Sequence, residues 1–279
     1  MEHSQHDWRH RRAVKIGWLS PMIMLILTAM PDPAAAQQPW SGETLTLRAG
    51  AVVMDVDSSF RVDSRSLGKG TTVDAEDDLG LDDSDDVFRA ELLWRIAPRH
   101  QLSLGYYDLS RDETERTDEP YQIGNVIFPP GILVETEFDL KLADFSYAYS
   151  LVQNDRFEFA PLIGVYGMDF DVRVENDLLG LSEGESQKFP LPTIGARFNY
   201  QLSPSWWLRA KGQYFYIEYD QYEGEMLEIG AGLEWNVWRK LSLGASYSHI
   251  NMDIEDTNAN GGKGEYEYDG IWGYLALTF

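Results

Sequence analysis

The chain has 279 residues, 25% of them charged and 43% hydrophobic, with a formal net charge of −23. Such acidity repels nucleic acid and excludes it as a partner. There is no cysteine, so no disulfide holds the fold, and the core or the surrounding medium must do so.

Residues 1–36 read as a cleavable export signal. Arg9, Arg11, Arg12 and Lys15 form a positive n-region, Ile16 to Met30 an apolar run broken by Pro21, and Ala34-Ala35-Ala36 a small-residue cleavage site before Gln37. The run is shorter than the ~20 residues that span a bilayer, and no cysteine follows it to carry a lipid. Residues 37–279 are then expected to be one domain. They hold no apolar stretch approaching a membrane helix, so a membrane-spanning form has to be a closed β-barrel, in which every backbone polar group finds a partner.

Strand signals recur near 43–58, 86–97, 101–112, 132–151, 156–175, 188–202, 205–219, 225–238, 241–254 and 265–279. Connections alternate in length. Ala97-Pro98-Arg99-His100, Val152-Gln153-Asn154-Asp155, Ser203-Pro204 and Arg239-Lys240 are tight, whereas 59–85, 113–131, 176–187 and 255–264 are long and polar. The outer connection from Asp220 to Gly224 is short. The pattern predicts an all-β, up-and-down antiparallel barrel of about ten strands, with eight as the alternative and a soluble sandwich or small barrel as a second.

Three strands alternate cleanly. Phe88, Ala90, Leu92, Trp94 and Ile96 oppose Val87, Arg89, Glu91, Leu93 and Arg95. Leu227 to Val237 oppose Met226, Glu228, Gly230, Gly232, Glu234 and Asn236, and Pro190 to Leu202 oppose Leu191 to Gln201. Two strands change phase. In 132–151 the apolar set moves from Phe138, Leu140 and Leu142 to Phe145, Tyr147 and Tyr149, which suggests a bulge near Ala143-Asp144. In 241–254 it moves from Leu241, Leu243, Ala245 and Tyr247 to Ile250, Met252 and Ile254. Both changes are also where a strand could leave the membrane. Trp206, Trp207, Trp235, Trp238, Phe157, Phe159, Tyr214, Tyr216, Tyr266 and Tyr268 lie near strand ends, where interfacial girdles sit. The last strand sets Ile271, Gly273, Leu275, Leu277 and Phe279 against Trp272, Tyr274, Ala276 and Thr278, and ends on an aromatic carboxyl terminus.

On these residues, the signal ending Ala34-Ala35-Ala36, the alternating strands and the closing strand Ile271 to Phe279, the chain resembles small outer-membrane β-barrel proteins of Gram-negative bacteria. The segment Asp77-Asp78-Leu79-Gly80-Leu81-Asp82 followed by a strand and Ala97-Pro98-Arg99-His100 resembles barrels without an assigned activity. The resemblance implies export through the inner membrane, residence in the outer membrane among its lipids and lipopolysaccharide, and assembly by periplasmic chaperones and the insertion machinery that reads the terminal strand.

Three constellations bear on function. Arg48, Arg89, Glu91, Arg95, Arg197, Arg209, Lys211, Glu228 and Glu234 are expected to face the lumen, with Asp169, Asp171 and Arg173 doing so nearer the outer rim. Mixed charges in a narrow lumen must pair, so a salt-bridged plug is expected, with a narrow polar path as the alternative. Asp74, Glu76, Asp77, Asp78, Asp82, Asp83, Asp85 and Asp86 crowd one loop without EF-hand spacing. They form a solvated loop or weak calcium or magnesium ligands, joined in the second case by carboxylates of 255–269. No other cofactor is expected. Outer-membrane hydrolases would use His249 with Asp169 and Asp171, or with a neighbouring serine. Ser248 and His249 fall on opposite faces, however, and no Asp-x-His motif is present, so no reaction is assigned. The sequence expectation is an outer-membrane barrel with a structural or surface role or a narrow solute path; a rim hydrolase and a small-solute channel are the alternatives.

Overall fold

The computed structural model describes residues 45–176, 178–258 and 261–279, and the expected export signal lies outside them. Ten long strands form the wall: β1 (Leu45–Val62), β2 (Ser84–Ala97), β3 (His100–Arg116), β4 (Leu133–Tyr149), β5 (Phe157–Asn176), β6 (Leu181–Ser203), β7 (Trp206–Tyr219), β8 (Tyr222–Trp238), β9 (Leu241–Asp256) and β10 (Gly262–Thr278). Each pairs antiparallel with its sequence neighbour. The barrel closes where β10 meets β1, in a register running from Thr46↔Thr278 to Val62↔Gly262. The Phe279 N–H adds a final hydrogen bond of 2.8 Å to the Leu45 carbonyl. Closure gives the strand ends partners that lipid cannot supply.

Below the outer rim, inward positions are polar and outward ones apolar. Arg48, Gln101, Glu158, Arg197, Glu228 and Glu234 are buried, while Leu47, Phe88, Trp94, Leu104, Phe145, Ile163, Ile194 and Leu275 face out and are exposed. This belt is the surface that a bilayer covers. Above it the pattern reverses. Met54, Val56, Leu109, Phe138, Leu140, Val172, Met226, Ile250 and Met252 point inward and are buried. Asp57, Asp112, Glu137, Glu218, Glu225 and Glu267 point outward and are exposed. Outward tyrosines mark the boundary, each with its hydroxyl on a carboxylate. Tyr106 donates to Asp108 at 3.0 Å, Tyr216 to Glu218 at 2.9 Å, Tyr214 to Glu225 and Tyr247 to Asp269. Amphipathic rings take this position at a lipid–water interface.

This reversal corrects the expected bulge. The pairing of β4 with β3 and β5 runs unbroken through Ala143-Asp144, so Phe138, Leu140, Leu142, Asp144 and Ser146 share one inward face. β9 is equally continuous along β10. The strand keeps its phase while the medium outside it changes. The outer loops are also shorter than expected, because β6 starts at Leu181 and β9 runs to Asp256; carboxylates on the wet face made these strand extensions look like loop. The aromatics divide by the same alternation. Trp206 and Trp235 stack on the outer face with ring centroids 6.0 Å apart, whereas Trp207, Tyr266 and Tyr268 point inward and leave the girdle.

Two outward positions of β3 test the boundary. Leu104→Arg, in the belt, is expected to lower stability by about 2–4 kcal/mol, and Ser110→Arg, above it, by less than ~0.5 kcal/mol. Urea unfolding in lipid vesicles measures both, and equal losses would contradict this placement of the membrane.

Candidate functional site

The lower lumen is filled by interlocked ion pairs. Glu158, fully buried on β5, accepts both terminal nitrogens of Arg95 at 3.0 and 3.2 Å, and also Gln101, Asn199 and the Ser150 hydroxyl. Glu234 accepts Arg48 at 3.0 Å, Arg209 at 2.7 Å and the Tyr274 hydroxyl at 3.2 Å. Arg48 bridges on to Glu91 at 3.2 Å, and Arg197 lies 3.5 Å from the same carboxylate. Higher up, Lys211 joins Asp144 at 2.6 Å to Glu228 at 3.3 Å, and Arg89 and the Tyr166 hydroxyl also reach Glu228. The closing strand supplies a lining: Arg89 lies over the Trp272 ring at 4.9 Å and Arg48 over Tyr274 at 5.9 Å. Gly244 on β9 makes room for Tyr274, since a Cβ there would lie 2.1 Å from the ring Cζ. A void of about 110 Å³ lies within the network.

All nine charges expected in the lumen lie in this network. Asp144 and Glu158 belong to it as well. Glu158 was legible, because Phe157 and Phe159 flank it on the outward face; Asp144 was hidden by the expected bulge. Asp169, Asp171 and Arg173 do not face inward. Odd residues of β5 point out, where Lys188 pairs with Asp169 at 2.6 Å and Arg173 with Glu137 at 3.1 Å.

Above the plug lies an outward-opening cavity of about 530 Å³. Phe138, Leu140, Met168, Phe170, Phe215 and Met252 belong to the apolar part of its lining. Its charged rim includes Arg61, Lys188 and Lys263, all ion-paired, to Asp63 and Glu255, to Asp169, and to Asp253 and Glu265 respectively. The size falls within the range of small-molecule pockets.

The acidic loop covers part of the mouth. Its Val73, Ala75, Leu79 and Leu81 are buried against the barrel interior. Glu76 reaches in to accept the Ser58 N–H and hydroxyl, each at 2.8 Å, and pairs with Arg111. Asp74 and Asp78 bind backbone N–H groups of their own turn. The Tyr121 hydroxyl donates to Asp78 at 3.2 Å, and burial with that carboxylate pushes its pKa up to about 12. Asp77, Asp82 and Asp83 are exposed, and Asp85 is partly so. Among the described residues one group has metal-ligand proximity, His249 with Glu267 and Asp269, and it contains none of the acidic-loop carboxylates. His249 lies on the outer wall, its Nδ1 3.1 Å from Asp269. It is on β9 and Asp169 and Asp171 are on β5, so the wall keeps the histidine apart from both aspartates. His100 bonds the Tyr147 hydroxyl at 2.6 Å beside a tight turn.

Removing one partner of a buried pair strands the other. Glu158→Ala is expected to cost ~3–5 kcal/mol, and Glu158→Gln with Arg95→Met, which removes both charges and keeps an acceptor for the neighbouring polar side chains, far less. Urea unfolding of both variants in vesicles checks this, and equal losses would show that pairing does not set the cost.

No protein-family model and no curated protein matches the chain. Solved structures do. The outer membrane protease OmpT from Escherichia coli is similar with a TM-score of 0.58 at 12% identity, over 86% of this chain and 98% of that one. Ail, the attachment invasion locus protein of Yersinia pestis, aligns with a TM-score of 0.35 at 12% identity, over 84% and 99%. The Ralstonia pickettii toluene transporter TbuX aligns with a TM-score of 0.36 at 10% identity, over 85% and 90%. At these identities the likeness speaks for architecture alone: with its ten strands closed in antiparallel order, the chain has the fold of the Gram-negative outer-membrane β-barrels.

Proposed function

We propose that the protein is an outer-membrane barrel that binds a small, uncharged apolar molecule in its outward cavity and does not conduct solutes across the membrane. The observation that carries this reading is the cavity of about 530 Å³ set directly above a lumen filled by ion pairs. A guest can enter from the outer side and has no continuous path below, because moving it on would strand buried charges at several kcal/mol each. The apolar lining contributes roughly 25 cal/mol per Å² of guest surface removed from water, and the three basic side chains of the rim are already ion-paired, which gives an anionic guest no spare counter-ion. A hydrolase reading has weaker support, since His249 faces away from the cavity. On the proposed reading the partners are outer-membrane lipids and lipopolysaccharide, with chaperones and the insertion machinery acting during assembly.

Titration with N-phenyl-1-naphthylamine, an uncharged aromatic fluorophore, is expected to show saturable binding to the vesicle-embedded barrel. Met168→Trp, which fills the cavity, is expected to weaken binding roughly tenfold or more. Planar bilayers loaded with the protein are expected to stay electrically silent. Non-saturable partitioning only, or a steady unitary conductance, would overturn the proposal.

A further inference from the structure

The wall is not paired along its whole height. β6 and β7 are joined from Ser203↔Trp206 up to Ile194↔Tyr214, and among the described residues no pair continues above that point. Both strands go on: β6 stays paired with β5 as far as Leu181↔Asn176, and β7 with β8 as far as Tyr219↔Tyr222. The cavity reaches this seam, because Lys188, Pro190 and Pro192 from one edge line it together with Phe215 and Ile217 from the other. Ile217 occupies an inward position of β7, yet it is 39% exposed.

The sequence builds the seam. Pro190 and Pro192 pair with Gly167 and Val165 of β5. Proline has no N–H, so neither can sit in a hydrogen-bonded rung of that ladder, and both must turn their missing donor toward β7. Closing the seam would leave carbonyls of β7 without donors at these two rungs, which is why proline is confined to free strand edges. The seam starts at the level of Tyr214, one of the boundary tyrosines. Ile163, Val165, Ile194 and Leu227 face outward around its lower end and are exposed. Its lower lip therefore meets the edge of the apolar belt.

We infer that the gap between β6 and β7 is a side entrance, through which a small uncharged apolar molecule dissolved in the outer leaflet reaches the cavity without passing the outer mouth. The inference rests on the binding reading above and adds the route. An apolar molecule is concentrated in the bilayer, and entry at the belt's edge spares it the part of the acidic collar in which Asp57, Asp112 and Glu137 face water.

The test uses an uncharged phenyl diazirine dissolved in the bilayer of nanodiscs that hold the full barrel, with labelled peptides mapped after irradiation. Two variants close the seam in different ways. Pro190→Val with Pro192→Val restores the missing donors. Pro192→Cys with Tyr216→Cys, opposite each other if the register from Ile194↔Tyr214 continues, allows a reversible staple in a chain that has no other cysteine. The heat-dependent gel shift of a folded barrel confirms that each variant is assembled. Labelling at Met168, Phe170 and Phe215 is expected in the parent chain. It is expected to be lost in the valine variant and in the oxidised staple, and to return when the staple is reduced. Undiminished labelling in assembled closed variants would overturn the side entrance and leave the binding reading standing. Absence of cavity labelling in the parent chain would overturn both.

Discussion

The structure depends on one constraint: along a paired strand, side chains alternate strictly, so each strand has one inward face from end to end, while the medium outside changes from lipid to water. Each residue's chemistry must then suit its depth as well as its face. In the belt, lipid takes the apolar set and the lumen takes the charges. Above the ring of Tyr106, Tyr214, Tyr216 and Tyr247 the assignment reverses, and the interior becomes an apolar core like that of a water-soluble barrel. The net charge of −23 is consistent with this, since much of the acidity faces water on the outer wall.

The two interiors meet inside one lumen, and their junction makes the candidate site. Charges enclosed by lipid-facing walls are tolerable only when paired, and the network from Glu158 through Glu234 and Glu91 to Glu228 pairs them. That pairing fills much of the lower barrel. The apolar upper interior is partly filled by the acidic loop and by the hairpin of Tyr121–Ile123 and Val126–Phe128, whose Ile123 and Phe128 are buried. The space they leave is the cavity. Glu76 on Arg111 holds the loop in place, so a residue that reads as part of an acidic run serves as a partly buried anchor.

The architecture was largely legible because period-two alternation needs no tertiary information. It sufficed for ten strands, for the closing strand from Ile271 to Phe279 and for nine lumen charges. It failed where a second variable entered. Phe138 to Tyr149 read as a bulge because sequence shows which residues share a face and does not show which solvent lies outside that face. Asp169 and Asp171 were placed inward because polar-inside holds only at membrane depth. The cavity went unseen because its lining residues, such as Phe138, Met168, Phe215 and Met252, come from four separate strands, and the space between them exists only once the barrel has closed. Pro190 and Pro192 were visible, but the edge they leave unpaired follows from the phase of the β5–β6 ladder, which requires the pairing itself.

Depth-resolved spin labelling of β4 tests the reversal most directly. Single cysteines can be placed one at a time from Asp139 to Tyr147 without interference from native thiols. In vesicles, labels at Phe145 and Tyr147 should be relaxed by dissolved oxygen, those at Asp139 and Lys141 by a water-soluble nickel chelate, and those at Leu140, Leu142 and Asp144 by neither. Oxygen access at Leu140 and Leu142 equal to that at Phe145 would place both sets in lipid and contradict the account.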